Sequence, residues 1–203
     1  MAEFQRRRFC RTRLPLTLAA ALHDVGKFLI PSDILNKKEK LTDNEFALIK
    51  QHPVLGYDLL KELNIDYHVK QAALSHHERC DGSGYPLGLK TNEIDDHAMI
   101  ISIADVYDAM TSARKYRTPL CPFEVIAEFE KDGLSKYKPQ YILTFLEHIA
   151  NAYQNNRILL NDGRSANIIL LNSNHLSSPM IQLDDGTCLD LYREPNLYIK
   201  SVV

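Results

Sequence analysis

The stretch HHERCDGSGYP, residues 76–86, carries the densest set of potential metal ligands in this chain of 203 residues. Two adjacent histidines are followed by Glu78 and Asp81, and then by a loop with two glycines and a proline. Neutral imidazole and carboxylate groups are common ligands of Zn, Mn, Fe and Ni. Adjacent residues on a helix point about 100° apart. His76 and His77 therefore suit two neighbouring metals, or two sides of one cluster. The structural alternative is a polar helix end followed by a Gly-Pro turn.

Candidate partners for these histidines lie in three other stretches. His23 and Asp24 occur in AAALHDVGKFLIP, His52 occurs in IKQHPVLGYDLL, and Asp105 occurs in IISIADVYDAMTSARKYR. A carboxylate beside an imidazole suits a bridge between two cations, and a two-metal site activates water and polarises phosphate. Asp105 interrupts an apolar helical pattern, where a buried carboxylate needs a cation or a hydrogen-bond donor. Taken alone, His52 would be an ordinary histidine, and Asp105 would fit a solvent-facing stripe.

The order of these motifs resembles the HD-GYP family. HDVGK, LT-x-x-E with a following HP, HHE-x-x-DG-x-GYP and ADVYDAMTS-x-R-x-YR follow one another between residues 19 and 117. Members of that family are metal-dependent phosphodiesterases that open cyclic di-GMP. The resemblance implies a mainly α fold with an HD-type helical bundle. It also implies hydrolysis of cyclic di-GMP to pGpG, with GMP as an alternative end product.

The resemblance also implies a set of site residues. The positions that match the family's metal ligands are His23, Asp24, His52, His76, His77 and Asp105. The expected catalytic residues are Asp24 and Lys27, the lysine approaching a phosphate oxygen or the leaving oxygen. The expected substrate contacts are Gly82, Gly84, Tyr85, Arg114 and Arg117. Glycine permits close approach of the backbone to a ligand, and guanidinium groups bind phosphate with two hydrogen bonds.

The expected cofactor is a pair of divalent metal ions. Histidines and carboxylates without thiolates favour Fe or Mn, with Ni, Co and Zn as alternatives. Cys80 lies inside the motif, but we do not assign it as a ligand. Glu78 and Asp81 are candidates for orienting a histidine through its second nitrogen, although Asp81 equally suits a turn. Asp108 is expected to form hydrogen bonds within the site. The histidines without a surrounding motif are interpreted as structural or surface residues: His68, His97, His148 and His175.

The composition is that of an ordinary globular chain. Hydrophobic residues make up 45%, charged residues 25%, and the formal net charge is −2. This charge disfavours a nucleic-acid polymer as the partner. The four cysteines are scattered without a C-x-x-C pair, which favours a reducing, cytoplasmic compartment. No apolar run reaches about eighteen residues, so no membrane span is expected.

The N-terminal residues have two interpretations. A basic segment followed by LPLTLAAAL has the order of a secretory signal. We favour a helix that places His23, because the apolar run continues without a break into HDVGK. The resembled family normally has a Glu and a His on a helix upstream of the HD pair. The 22 residues before His23 contain no histidine, and Glu3 is their one acidic residue.

Absence of that upstream helix has two expected consequences. The metal position formed by His23, Asp24 and Asp105 would lack one imidazole, and a third metal position that needs the upstream Glu would be missing. Uncovered apolar surface would favour a homodimer or low stability.

The expected domains are a basic segment at 1–13, an HD-GYP-like helical domain at 14–155 and a small β-rich extension at 156–203. Thr42 and Glu45 have the spacing of a capping box. Further helices are expected at 16–25, 56–63, 67–78, 98–113, 122–131 and 139–153. The NDG and DDG tripeptides at 161–163 and 184–186 separate apolar runs, which is typical of hairpin turns. The C-terminal residues are therefore expected to form a small antiparallel sheet.

Two classes of function fit this pattern. The first is a phosphodiesterase that attacks cyclic di-GMP with metal-bound hydroxide. The second is a catalytically weakened module that binds cyclic di-GMP, or binds a protein partner through the long loop at 79–97. Hydrolysis of another nucleotide is a third interpretation, which the intact GYP loop disfavours.

Overall fold

The computed structural model describes residues 14–113 and 118–203, which form two compact units. The first unit contains the described residues up to Asp105 together with Lys136–Lys138. The second contains the described residues of Val106–Ser135 and all of Pro139–Val203. The predicted basic segment at 1–13 and two predicted phosphate contacts, Arg114 and Arg117, lie outside the described residues. The predicted domain limits at residues 13 and 155 stay a prediction.

The first unit is helical. It contains residues 14–22 (α1), a 3₁₀ turn at Val25–Leu29, α2 (Ser32–Leu35), α3 (Asp43–Ile49), α4 (His52–Leu60), α5 (Tyr67–Ser75) and most of α6 (Asp96–Thr111). The predicted capping box before α3 is confirmed. The Thr42 hydroxyl accepts a hydrogen bond from the Glu45 backbone N–H at 3.3 Å, and the Glu45 carboxylate accepts one from the Thr42 backbone N–H at 2.8 Å.

The apolar side of α1 packs into a core shared with α5 and α6. Ala19 contacts Val69 and Ala72 of α5 and Ile101 of α6, and all four are almost fully buried. Burial of such apolar surface is the main favourable contribution to folding. His23 follows directly, and its backbone N–H donates to the Ala19 carbonyl at 2.9 Å. The packing of α1 therefore positions the HD pair against α5 and α6.

The turn after the HD pair touches α4 without an intervening side chain. A Cβ atom added at Gly26 would lie 2.0 Å from the His52 carbonyl oxygen and 2.5 Å from the Gly56 nitrogen. Glycine at position 26 is thus required for close approach of the two backbones. This contact sets how near Asp24 comes to His52.

Replacement of Gly26 by alanine tests this contact. Gly26→Ala is expected to lower the free energy of unfolding by about 3 kcal/mol, because the new methyl group overlaps backbone that must then move. Urea denaturation measures the change. Gly56→Ala is the matched control, since its Cβ would lie 3.2 Å from the Gly26 nitrogen. Higher helix propensity offsets that milder overlap, so the control should change by less than about 1 kcal/mol. Wild-type stability of Gly26→Ala would contradict the contact.

Three predicted helix boundaries are wrong. The helix predicted at 16–25 ends at 22, before a turn at His23 and Asp24. The helix predicted at 67–78 ends at Ser75, with His76 as its C-cap. The helix predicted at 56–63 instead spans His52–Leu60, because Pro53 suits the first turn of a helix. The helix predicted at 122–131 is helical throughout, although its last turn is a π-helical turn from Phe129 to Gly133. The first two of these helices end directly before the candidate ligands His23 and His76.

The second unit combines helices with a sheet. Its helices are α7 (Pro122–Glu128) and α9 (Pro139–Ala152), with the π-helical turn Phe129–Gly133 between them. The short α8 (Leu134–Lys136) follows that turn. The strands are β1 (Arg157–Leu160), β2 (Ser165–Leu170), β3 (Met180–Leu183), β4 (Cys188–Asp190) and β5 (Ile199–Val202). They form one antiparallel sheet in the order β4-β3-β2-β1-β5. The predicted mainly α fold with a C-terminal antiparallel sheet is confirmed.

The two predicted DG turns are hairpin turns. Leu160 bonds to Arg164 across the first turn at 2.8 Å, and Leu183 bonds to Thr187 across the second at 2.9 Å. Each loop therefore has three residues, with a glycine at φ near 90°. Glycine occupies this region without steric cost, as three-residue hairpin loops require. Among the described helices, none has the length and hydropathy needed to cross a bilayer.

Candidate metal centre

The structure brings the six predicted ligands together in the first unit. They come from the turn after α1, the start of α4, the end of α5 and the middle of α6. Two groups form, one of Asp24, His52, His76 and His77 and the other of His23, Asp24 and Asp105. Within each group, one donor atom per residue lies within 4.8 Å of the others. Asp24 is the member that both groups share.

The two oxygens of Asp24 face different groups. Oδ1 lies 3.3 Å from His52 Nε2 and 3.6 Å from His76 Nε2. Oδ2 lies 3.5 Å from His23 Nε2, and that nitrogen is 3.9 Å from Asp105 Oδ1. A carboxylate that bridges two cations needs this arrangement.

Backbone carbonyl groups set the tautomers of three histidines. The Nδ1–H group of His23 donates to the Ala20 oxygen at 2.8 Å, that of His52 to the Ile49 oxygen at 2.7 Å, and that of His76 to the Ala72 oxygen at 2.9 Å. A carbonyl oxygen only accepts, so Nδ1 carries the proton and Nε2 presents a lone pair. Metal-binding histidines are commonly oriented in this way.

Lone pairs therefore converge where a cation would fit. His52 Nε2 and His76 Nε2 lie 3.2 Å apart, and neither has a proton to share in these tautomers. Asp24 Oδ1 faces both nitrogens and is buried without a hydrogen-bond partner. Three acceptors this close repel one another unless a positive ion lies between them. The residues present thus fit a divalent metal ion.

The electrostatics of Asp24, His76 and His77 favour the metal-binding protonation states. Burial opposes ionisation of Asp24, but the Lys27 ammonium that is hydrogen-bonded to it lowers the pKa of its carboxyl below the ordinary value. Burial lowers the pKa of His76. Burial and the neighbouring imidazoles of His76 and His52 lower the pKa of His77 to about 2. At neutral pH the carboxylate is ionised and these two histidines are neutral, as metal ligation requires.

Lys27 lies beside the shared carboxylate. It belongs to the 3₁₀ turn after the HD pair, and its Nζ donates a hydrogen bond to Asp24 Oδ2 at 2.5 Å. The predicted catalytic lysine is therefore next to the ligand atom that faces His23.

Comparison with known proteins identifies the family. Residues 10–141 match the family profile described as the HD domain, which is more than half of the chain. The chain belongs to the HD domain family. It is 42% identical over 134 residues to a cyclic di-GMP phosphodiesterase of Thermotoga maritima, covering 65% of this chain and 36% of that protein. It is 35% identical over 168 residues to a cyclic di-GMP phosphodiesterase of Pseudomonas aeruginosa, covering 82% and 40%.

Two further similarities extend this result. A 3'3'-cGAMP-specific phosphodiesterase of Vibrio cholerae is 36% identical over 132 residues, covering 64% of this chain and 25% of that protein. An HDG"Y"P protein from Bdellovibrio bacteriovorus has a similar structure, with a TM-score of 0.55 and 25% identity over 70% of this chain and 44% of that chain. The resemblance to the HD-GYP family is confirmed. The chain spans less than half the length of these curated relatives.

The GYP loop of this HD domain lies against His77, one of the candidate ligands. The Tyr85 ring stacks on the His77 ring, with centroids 4.6 Å apart and planes 23° apart. Burial raises the pKa of Tyr85 to about 12, so its hydroxyl keeps its proton at neutral pH. A Cβ atom at Gly84 would lie 2.4 Å from Glu78 Cα and 2.6 Å from the His77 oxygen. Gly84 is thus required by packing of the loop, and Gly82 has a φ of 81°. Contact of these residues with substrate stays a prediction.

Glu78 organises this loop, in place of orienting a histidine as we expected. Its side chain is buried and accepts hydrogen bonds from the backbone N–H groups of Leu87 at 2.6 Å, Gly88 at 3.2 Å and Leu89 at 2.9 Å. Asp81 follows the second expectation and builds a turn, accepting hydrogen bonds from the backbone and hydroxyl of Ser83.

Asp108 also differs from the expectation of a hydrogen bond within the site. It is exposed, and its carboxylate accepts a hydrogen bond from the Ser112 hydroxyl at 3.0 Å. Both residues lie in the same C-terminal part of α6 and the turn that follows it, so this bond is local.

The loop contacts of Glu78 give a stability prediction. Glu78→Gln is expected to lower the free energy of unfolding by about 2 kcal/mol, because an amide offers one acceptor oxygen and leaves part-buried backbone N–H groups of the loop without a partner. Asp81→Asn is the control, since asparagine also forms such turns, and its midpoint should match that of the wild type. Urea unfolding compares the two variants. Equal midpoints for Glu78→Gln and the wild type would contradict the structural role.

Two histidines that we interpreted as structural or surface residues lie in a further cluster. His68 and His97 flank Asp95, and one donor atom from each lies within 4.8 Å of the others. The D-x-H spacing at 95–97 was the available sequence signal, but it places no partner beside it. The other two interpretations agree with the structure, because His148 is exposed and His175 stacks on Tyr192.

Proposed function

We propose that this HD domain is a metal-dependent phosphodiesterase that hydrolyses cyclic di-GMP, with pGpG or GMP as the end product. The observation that carries the proposal is the shared position of Asp24 between two groups of histidine and carboxylate donors. The names of the relatives from Thermotoga maritima and Pseudomonas aeruginosa support cyclic di-GMP as the substrate. A pure binding role is less well supported, since it gives no reason for a preorganised pair of donor groups.

Two divalent ions would be held by the two donor groups. One group contains the three histidines around Asp24 Oδ1, and the other contains His23, Asp24 and Asp105. Bound metal would supply hydroxide near neutral pH and polarise the phosphate oxygens. Nitrogen and oxygen donors without a thiolate favour Fe or Mn.

In this proposal, backbone groups of the chain orient the candidate histidine ligands, and Lys27 serves as a proton donor. The backbone carbonyls of Ala20, Ile49 and Ala72 keep three imidazoles aimed at Asp24. The Lys27 ammonium is hydrogen-bonded to Asp24 Oδ2, and in the proposed reaction it gives a hydrogen bond or a proton to the leaving oxygen. Such a donor, aimed at developing charge, lowers the barrier of phosphoryl transfer.

A cavity beside the site fits an aromatic part of the substrate. Its volume is about 380 Å³, and its lining includes Asp24, Lys27, Leu22 and Phe28. The Phe28 ring is 89% exposed, and exposed aromatic rings provide stacking surfaces for bases. The volume falls in the range of small-molecule sites. We propose that one guanine of the dinucleotide lies there.

The relatives also favour a second candidate substrate. Two phosphodiesterases of Vibrio cholerae that resemble this chain are named as specific for 3'3'-cGAMP. The two dinucleotides share the phosphate ring and differ in one base. Competition between them in one reaction would determine which has the higher kcat/KM.

Asp24→Ala tests the phosphodiesterase proposal. Protein purified without oxygen is analysed for metal and incubated with cyclic di-GMP, and the products are separated by chromatography. Wild-type protein should contain metal and release pGpG or GMP, whereas the variant should lose both, because each donor group loses its shared ligand. Asp58→Ala is the control, since Asp58 is exposed and pairs with Lys61 outside the site. Bound metal without product would contradict the substrate, and absence of metal would contradict the site.

Lys27→Met tests the role of the lysine. The variant should keep its metal and lose about 10²- to 10³-fold in kcat, as when one donor to developing charge is removed. Lys38→Met, at an exposed position, should behave as the wild type. Loss of metal together with activity would instead show that Lys27 acts by holding Asp24.

Partners and location stay predictions. Exposed apolar side chains at Phe28, Leu29 and Leu35 fit the predicted homodimer, and the GYP loop remains the predicted surface for a protein partner. Free thiols at Cys80, Cys121 and Cys188 fit the predicted cytoplasmic compartment.

A further inference from the structure

A third donor cluster lies on the same helices as the HD site but at their opposite ends. His68 is the second residue of α5, and His97 is the second residue of α6. Asp95 directly precedes α6, and its carboxylate lies beside both imidazoles. Its Oδ2 is 2.6 Å from His68 Nδ1, and its Oδ1 is 3.7 Å from His97 Nδ1.

We propose that His68, Asp95 and His97 bind a divalent transition-metal ion of the zinc class, separate from the HD site. This ion ties the start of α5 to the start of α6. Two imidazoles and one carboxylate are an established ligand set for such ions, with open positions left for water.

The three side chains are already oriented for ligation. Asp95 caps α6, its Oδ1 accepting a hydrogen bond from the His97 backbone N–H at 2.9 Å and its backbone oxygen accepting one from Met99 at 3.0 Å. The His68 backbone N–H donates to the Asp66 carboxylate at 2.8 Å. The His68 and His97 rings stack with centroids 4.4 Å apart and planes 22° apart. Both Nδ1 atoms consequently face the same carboxylate.

The spacing matches a single ion. Two donors on one tetrahedral zinc ion lie about 3.3 Å apart, because each is about 2.0–2.1 Å from the metal. The distance from Asp95 Oδ2 to His68 Nδ1 is 2.6 Å and that from Asp95 Oδ1 to His97 Nδ1 is 3.7 Å, so they lie on either side of this value. A small movement of the Asp95 carboxylate would bring both oxygen-to-nitrogen distances close to this value. The His68 proton then resides on Nε2, which the half-exposed position of the ring leaves accessible to water.

An unpaired nitrogen indicates that the cluster is incomplete without a ligand. His97 Nδ1 is buried and has no hydrogen-bond partner, and buried polar atoms are normally paired. A hydrogen-bonded His68–Asp95 pair alone leaves this nitrogen unsatisfied. An ion bound by Asp95 would reach it.

The helix ends beside this cluster both weaken and strengthen its affinity for a cation. The first turns of α5 and α6 carry partial positive charge, which disfavours a cation. The capping carboxylates of Asp66 and Asp95 offset this charge. The site is therefore suited to an ion with strong affinity for imidazole, such as zinc, more than to Mg²⁺ or Ca²⁺.

The site is distinct from the HD centre but linked to it through two helices. His68 and His76 are eight residues apart, which is about 12 Å along a helix. His76 caps the C-terminal end of α5, and Asp105 lies further along α6. An ion at the helix starts would hold together the two helices that present these residues.

Zinc binding in a background with both Asp24→Ala and His76→Gln tests the proposal. That parent lacks the ligand that both HD groups share and one further histidine, so equilibrium dialysis against zinc followed by elemental analysis should still find one zinc ion per chain. Adding His68→Gln and His97→Gln should remove it. Adding His148→Gln, at an exposed position on α9, is the matched control and should leave it unchanged. The parent should also unfold at a higher temperature with zinc than without, and the double histidine variant should show no such shift.

Asp95→Asn keeps the test decisive if the histidine variants do not fold. Asparagine caps helices as well as aspartate does, so circular dichroism should stay unchanged while zinc affinity falls more than about tenfold. Either of two results would overturn the proposal. One is a parent without bound zinc, which would make the cluster a hydrogen-bonded pair. The other is unchanged zinc binding after removal of these ligands.

Discussion

The carboxylate of Asp24 is the constraint on which the first unit depends. Its oxygens face two donor groups, and Oδ1 lies buried against the unprotonated nitrogens of His52 and His76. Acceptors packed in this way are unfavourable without a cation, so a metal ion bound between them would stabilise the folded first unit. The close contact of Gly26 with α4 and the packing of α1 against α5 and α6 bring these groups together.

Helix ends supply most of the ligands, and this determines how rigid the site is. The backbone of a residue at a helix end is fixed by that helix, and the side chains of His52 and His76 are almost fully buried there. Nearby helix carbonyls then accept the Nδ1–H groups of three histidines. The GYP loop is held by the buried carboxylate of Glu78 and by the packing of Gly84. The loop is therefore ordered by the protein itself, before any substrate binds.

Much of the site was predictable because its motifs are local in sequence. The order HD, HP, HHE and ADVYD identified six ligand candidates, and all six lie together. The roles of Glu78 and Asp108 were not predictable, since they depend on which backbone groups surround each carboxylate. The end of α5 at Ser75 also escaped prediction, because tertiary contacts rather than helix propensity end that helix. The cluster around Asp95 joins residues 27 positions apart that share no motif.

The sequence by itself determined the fold class, the hairpin turns and the identity of the candidate ligands. Hydrophobic pattern, turn glycines and the capping box act over a few residues, and the chemistry of imidazole and carboxylate is independent of context. Tertiary structure alone decided which candidate donors lie together and which nitrogen of His23, His52 and His76 is free of a backbone hydrogen bond. It also decided that Asp24 is common to two groups, and that His68 and His97 meet at Asp95. These properties depend on distances of about 3 Å between side chains of different helices, a range set by hydrogen bonding and packing. No local pattern in a chain specifies such distances.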